Sequence, residues 1–130
     1  MAVTTVLLID DNDQDRKYWG EALKDYSPNY TVLEASSGQA GLELCESHRV
    51  DCVILDLDMP ESGFHALFAL ISDRKRPEIA VVVLTHLPHP NLLEMAKNNG
   101  AQACLIKQTT SVEDLDNAIQ KAVASVQSNR

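Results

Sequence analysis

The chain has 130 residues and a formal net charge of −8. That length is enough for one domain with a sizeable core and leaves no room for a second folded domain. The composition, 45% hydrophobic and 23% charged, is that of a globular protein, and no run approaches the roughly 18 apolar residues of a membrane span. The acidic balance argues against direct binding to nucleic acid, which calls for a basic face.

No targeting segment is indicated, because the first residues lead into an apolar strand without a basic start. The cysteines are odd in number and widely spaced on apolar stretches, which is typical of core packing in a reducing compartment: Cys45, Cys52 and Cys104. We therefore expect a cytoplasmic protein without membrane insertion.

Strand and helix patterns alternate along the chain without internal repeats, which predicts one doubly wound α/β domain. The first strand is the apolar run Val6-Leu7-Leu8-Ile9, and the first helix begins near Asp13 or Gln14. The second strand, from Tyr30 to Ala35, includes Thr31 and Glu34, so we expect it at an edge of the sheet.

The middle of the chain continues the alternation after a second helix. The third strand is the run Cys52-Val53-Ile54-Leu55, and a third helix follows Ser62 as its N-cap. The fourth strand, residues 79–84, is the most apolar stretch, so we expect it inside the sheet.

The last part of the chain holds a fourth helix, a fifth strand and a fifth helix. Asn98-Asn99-Gly100 ends the fourth helix, and Ser111 is the cap of the last one. We assign residues 1–126 to the domain and residues 127–130 to a frayed tail.

Acidic residues follow two of the apolar strands. Asp10 and Asp11 follow the first strand, and Asp56 follows the third. Because the carboxyl ends of parallel strands meet at one crevice, we expect these side chains to lie together. Two carboxylates about 4 Å apart repel by roughly 4 kcal/mol at an effective dielectric of about 20, so the cluster requires a cation. Mg²⁺ meets that need, since it takes carboxylate oxygens and keeps positions open for phosphate.

In such a site Asp56 is a candidate nucleophile toward phosphorus. Phosphoryl transfer spreads negative charge over the equatorial oxygens of the transferred group. Thr85 and Lys107 follow the fourth and fifth predicted strands. A metal on one side of the group and Lys107 on the other would neutralise that charge, and Thr85 could hydrogen-bond a third oxygen.

The order of these motifs resembles the response-regulator receiver domain of two-component signalling, the CheY-like family. It is carried by the acidic pair, by Asp56 before Leu57-Asp58-Met59-Pro60, by Thr85 after the fourth apolar run and by Lys107 after the fifth. The match spans nearly the whole chain. It implies a flavodoxin-like, five-stranded parallel sheet in the order 2-1-3-4-5 with helices on both faces.

The resemblance also implies a role for each site residue. Asp56 would be the phosphoacceptor, and Thr85 and Lys107 would contact the phosphoryl group. Mg²⁺ would be bound by Asp10, Asp11, Asp56 and the backbone carbonyl of Asp58. The domain would catalyse only its own phosphorylation and dephosphorylation, so it is not classed as an enzyme.

The resemblance implies partners too. The donor would be a phosphohistidine on a sensor histidine kinase or on a histidine phosphotransfer protein. The phosphorylated state would modulate contacts with a downstream target protein, through the face formed by the fourth helix, the fifth strand and the fifth helix.

Three residues depart from the family pattern. Cys104 stands where an aromatic residue often rotates inward on activation, Gln108 replaces the usual proline after Lys107, and His86 follows Thr85 where a small residue is usual. These departures leave open a pseudo-receiver, which would bind partners without being phosphorylated.

A phosphatase of the haloacid-dehalogenase type is a third alternative, because Asp56-Leu57-Asp58 resembles its nucleophile motif. That motif normally opens the first strand, however, and this chain leaves no room for a substrate cap. Turnover of an acyl phosphate would distinguish the phosphatase from a receiver.

Overall fold

The computed structural model describes residues 3–59, 65–66, 69, 79–86 and 90–128. The strands in these segments are β1 (Thr4–Ile9), β2 (Tyr30–Ala35), β3 (Cys52–Leu55), β4 (Ala80–Thr85) and β5 (Ala103–Ile106). The helices are α1 (Asp13–Tyr26), α2 (Gly38–Ser47), α3 (Pro90–Asn98) and α4 (Val112–Ser128), and a 3₁₀ turn covers Lys107–Thr109.

The helices α3 and α4 are the fourth and fifth helices predicted from the sequence. Of the third predicted helix, residues 65, 66 and 69 are helical, while its expected cap, Ser62, lies outside the described residues. Helix α4 continues to Ser128, so residues 127 and 128, which we assigned to the tail, are helical. The bounds of the domain stay a prediction.

The strands form one five-stranded parallel sheet in the order β2-β1-β3-β4-β5, which confirms the predicted fold class. Val6 of β1 is paired with Val32 on one side and with Cys52 on the other. Strand β2 lies at the edge, and its polar residues Thr31 and Glu34 are exposed, as expected. Strand β4 is interior, and all its residues are buried.

Two apolar layers cover the sheet, because successive side chains of a strand point to opposite faces. Leu7 and Ile9 belong to a layer that includes Cys45 of α2 and Ala96 of α3. Val6, Leu8 and the alternate residues of β3 and β4 pack on the other face against residues of α1 and α4, among them Trp19, Leu23, Leu115 and Ile119. Helices therefore cover both faces, and the polar site is left to the edge where the strands end.

Backbone hydrogen bonds bring the ends of β1 and β3 together. The amide of Asp56 donates to the carbonyl of Ile9 over 3.0 Å, and the amide of Asp10 donates to the carbonyl of Ala35 over 3.1 Å. Asp10 and Asp56 thus leave the sheet side by side. Among the described residues, no helix combines the length and hydropathy of a membrane span.

Candidate functional site

Four predicted site residues lie at the carboxyl edge of the sheet. Asp10 and Asp56 follow β1 and β3, Thr85 is the last residue of β4, and Lys107 follows β5. All four are buried, with exposed fractions of 5%, 3%, 0% and 8% respectively. In the described part of the chain, these are the buried polar and charged residues. The polar groups of the interior are therefore concentrated in this one site.

The Lys107 ammonium joins the carboxylates. Its Nζ atom donates to Asp10 Oδ2 over 2.6 Å and to Asp56 Oδ2 over 2.9 Å. A third bond, also of 2.9 Å, goes to Asp15 Oδ2 in the first turn of α1. Since a lysine ammonium has three N–H donors, each donor has a carboxylate acceptor. One positive charge is thus shared by three carboxylates.

The pKa values follow from this arrangement. Burial raises the pKa of Asp10, and the hydrogen bond from Lys107 opposes that effect only in part. Burial alone would lower the pKa of Lys107, but its hydrogen bonds to Asp10, Asp15 and Asp56 raise it above its ordinary value. Lys107 therefore remains charged at neutral pH.

The remaining carboxylate oxygens are bound by the backbone. Asp10 Oδ1 accepts from the amide of Asn12 over 2.9 Å, and Asp56 Oδ1 accepts from the amide of Asp58 over 2.8 Å. The Arg16 guanidinium donates to the backbone carbonyl of Asp10 over 2.8 Å. These bonds fix the orientation of both buried carboxylates.

Asp11 and Asp58 differ from the buried pair, because both are exposed. The described residues include no group of three or more histidine, cysteine, aspartate or glutamate side chains placed to hold a metal ion. Asp10 and Asp56 instead share the Lys107 ammonium. Their hard oxygen donors fit Mg²⁺ in chemistry, and Asp11, the next residue along the chain, is the further carboxylate that could turn toward such an ion. The magnesium site stays a prediction.

Asp15 is a site residue that the sequence analysis missed. Its Oδ2 atom accepts a hydrogen bond from Lys107 Nζ, and the same oxygen is 2.9 Å from His86 Nε2. Partial burial works to raise the pKa of Asp15, but the hydrogen bonds with Lys107 and His86 outweigh it and lower the pKa. The sequence signal was the acidic first turn of a helix that begins beside the end of β1.

Comparison with known proteins gives a consistent assignment. The family model for the response regulator receiver domain matches residues 6–120 of the chain. The transcriptional regulatory protein PdtaR of Mycobacterium tuberculosis is 37% identical over 121 residues, which cover 92% of this chain and 56% of that protein. The nitrate/nitrite response regulator protein NarL of Escherichia coli is 36% identical over 122 residues, which cover 92% and 55%. The chain spans about half the length of these relatives.

Solved structures agree with the sequence comparisons. A response regulator receiver domain protein from Clostridium thermocellum is similar with a TM-score of 0.85 at 27% identity, covering 98% of this chain and 100% of that one. The chemotaxis response regulator CheY4 of Vibrio cholerae gives a TM-score of 0.80 at 26% identity, covering 93% and 99%.

Proposed function

Because the chain belongs to the response-regulator receiver domain family, we propose that it acts in a two-component phosphorelay with Asp56 as the phosphoacceptor. The observation that supports this proposal is the buried Asp56 carboxylate, whose Oδ2 atom is 2.9 Å from the Lys107 ammonium. A nucleophile next to a fixed cation at the end of a strand is suited to receive an anionic group.

The chain's own residues account for most of the proposed reaction. One oxygen of Asp56 forms a bond to phosphorus while the bond between phosphorus and the donor's histidine nitrogen breaks, and that nitrogen keeps the electron pair. Lys107 balances charge on the phosphoryl oxygens, and the Thr85 hydroxyl donates to another of them. The Asp58 amide holds Oδ1 of Asp56 during the transfer. Mg²⁺, bound by Asp10, Asp11, Asp56 and the Asp58 carbonyl, would supply further positive charge.

The proposed partners follow from family membership. A sensor histidine kinase or a histidine phosphotransfer protein is the phosphoryl donor, and a downstream target binds the surface formed by α3, β5 and α4. The net charge of −8 disfavours direct contact of this domain with nucleic acid. We place the protein in the cytoplasm, where it catalyses only its own phosphorylation and dephosphorylation.

The proposal is tested with a small acyl phosphate, Mg²⁺ and intact mass spectrometry. We expect the wild type to gain one phosphate and Asp56→Asn to gain none. Asp25→Asn, which changes an exposed carboxylate of α1, is the matched control and should label like the wild type. Labelling that persists in Asp56→Asn would contradict the assignment of the acceptor.

The same experiment separates the alternatives. A wild type that gains no phosphate from either an acyl phosphate or a histidine donor would favour the pseudo-receiver. Rapid multiple turnover of the acyl phosphate with no accumulation of phosphorylated chain would favour the phosphatase of the haloacid-dehalogenase type, although Asp56 follows the third strand here and not the first.

A further inference from the structure

We propose that Asp15 is a positioning residue for Lys107, and that it competes with a phosphoryl group on Asp56 for one N–H donor of the ammonium. Asp15 lies in the first turn of α1, outside the acidic pair Asp10-Asp11. This inference rests on the proposed function of Asp56 and assigns a regulating role to a residue next to that site.

The competition follows from the number of donors. Lys107 Nζ has carboxylate acceptors at 2.6, 2.9 and 2.9 Å, and a lysine ammonium has three N–H groups. A phosphoryl oxygen can therefore bind Lys107 only when one of these acceptors is released or shares its donor.

Burial decides which acceptor is released. The side chains of Asp10 and Asp56 are 8% and 4% exposed, whereas that of Asp15 is 27% exposed. A carboxylate that loses its partner in the interior bears the full cost of desolvation, while water can replace the partner of a more exposed one. After one oxygen of Asp56 bonds to phosphorus, its other oxygen remains an acceptor for Lys107, so the choice lies between Asp10 and Asp15. Asp15, the more exposed of the two, is the carboxylate that gives up Lys107.

His86 makes that release easier. Its Nε2 atom is 2.9 Å from the Asp15 oxygen that Lys107 contacts. In the forms that carry a proton on Nε2, the imidazole donates to this oxygen. Asp15 then keeps a hydrogen-bond donor when Lys107 turns to the phosphoryl group. Because His86 is exposed, this support comes from the solvent side of the site.

The negative charge of Asp15 disfavours phosphorylation of Asp56, as its hydrogen bond to Lys107 does. A carboxylate that shares an ammonium with Asp56 repels the negative charge that arrives with a phosphoryl group. Loss of this charge should therefore favour the phosphorylated arrangement, both by freeing Lys107 and by removing repulsion.

The test uses the full chain and a beryllium fluoride complex with Mg²⁺ as the phosphate mimic. Asp15→Asn keeps the shape of the side chain but removes its charge. We expect it to bind the mimic about tenfold more tightly, the change that a hydrogen bond to a charged group typically makes. Asp15→Glu should return the affinity toward the wild-type value.

Asp13→Asn is the matched control. Asp13 lies in the same helical turn, its side chain is 84% exposed, and it is paired with Arg16 and not with Lys107. The control should bind the mimic like the wild type. An Asp15→Asn affinity equal to that of Asp13→Asn, or lower than the wild-type affinity, would overturn the competition.

A second measurement does not depend on phosphorylation. In the unphosphorylated protein, the rate at which an amine-reactive reagent modifies Lys107 is followed by peptide mass mapping. We expect the rate to rise several-fold in Asp15→Asn and to stay unchanged in Asp13→Asn. If it rises while the wild type takes up neither phosphate nor mimic, Asp15 positions Lys107 but the proposed function of Asp56 is wrong. If Lys107 is modified at the same rate in Asp15→Asn and Asp13→Asn, the inference is overturned even where Asp56 is phosphorylated.

Discussion

Lys107 is the residue on which the charge balance of the site depends. Its side chain is 4% exposed and is paired with two carboxylates that are themselves buried. Removing one partner of a buried ion pair is far more costly than removing both, because the charge left behind has neither water nor a counter-ion. The lysine thus stabilises the unphosphorylated fold in addition to any role in phosphoryl transfer.

We therefore predict that Lys107→Met lowers the free energy of unfolding by about 3 kcal/mol when Mg²⁺ is absent. Methionine keeps the length of the side chain and leaves Asp10 and Asp56 without their cation. Urea denaturation in a chelating buffer measures the effect. Lys121→Met, an exposed lysine on α4, should change the stability by no more than about 0.5 kcal/mol. Equal urea midpoints for the two variants would contradict this account of the site.

Sequence patterns predicted the site residues at the ends of strands more readily than Asp15, which lies in the first turn of a helix. Asp56, Thr85 and Lys107 each follow an apolar run, so their placement at one edge of the sheet could be inferred from parallel topology. Asp15 gave no comparable signal, because acidic residues are common in the first turn of any helix. Its contact with Lys107 joins residues 92 positions apart, and only the docking of α1 beside β1 determines it.

Close packing of α2 against β1 fixes the position of the strand that precedes Asp10. Gly41 lies on the inner face of α2, where a Cβ atom would be 2.3 Å from Ile9 Cδ1 and 2.7 Å from Ile9 Cγ1. Ile9 immediately precedes Asp10 in the chain. A side chain at position 41 would therefore push against the residue next to the site.

We predict that Gly41→Ala destabilises the protein by about 1 to 3 kcal/mol, the usual cost of overpacking a core. Gly20→Ala is the matched comparison, because Gly20 is also a buried helical glycine, but its added Cβ would lie 3.4 Å from the nearest atom, Leu8 Cδ1. That variant should be neutral or more stable by up to about 1 kcal/mol, since alanine favours helix over glycine. Thermal denaturation of both variants decides the matter, and a Gly41→Ala that melts with or above Gly20→Ala would refute the packing argument.

The order and type of these elements could be read from periodicity, and the mixed polarity of β2 correctly predicted an edge strand. The close contact between Gly41 and Ile9 could not be predicted, because a glycine in a helical pattern does not show which residue faces it. The exposed position of Asp11 was equally hidden, since adjacent residues after a strand can point in opposite directions.

The site is connected to the proposed target surface through β4 and β5. Thr85 is paired with Ile106, which precedes Lys107. Two residues before Ile106 in β5, Cys104 Sγ donates to the Leu93 carbonyl of α3 over 3.5 Å. Burial raises the pKa of the Cys104 thiol and outweighs the opposing charge of Lys97, so the side chain stays uncharged at neutral pH. A short, neutral thiol links β5 to α3 where the family often has an aromatic ring.

We predict from this link that phosphorylation changes the surface of α3, β5 and α4 less than it does in receivers with an aromatic residue at this position. Cys104 has neither a ring nor a hydroxyl group that could move toward Thr85, so rearrangement should stay close to Asp56, Thr85 and Lys107. Amide hydrogen exchange with and without the beryllium fluoride mimic measures it, and residues 92–106 should show little change in protection. Cys104→Tyr supplies the ring and should extend the change into this segment. Large protection changes there in the wild type would refute this prediction and would mean that the pairing of Thr85 with Ile106 couples the site to the surface without an aromatic ring.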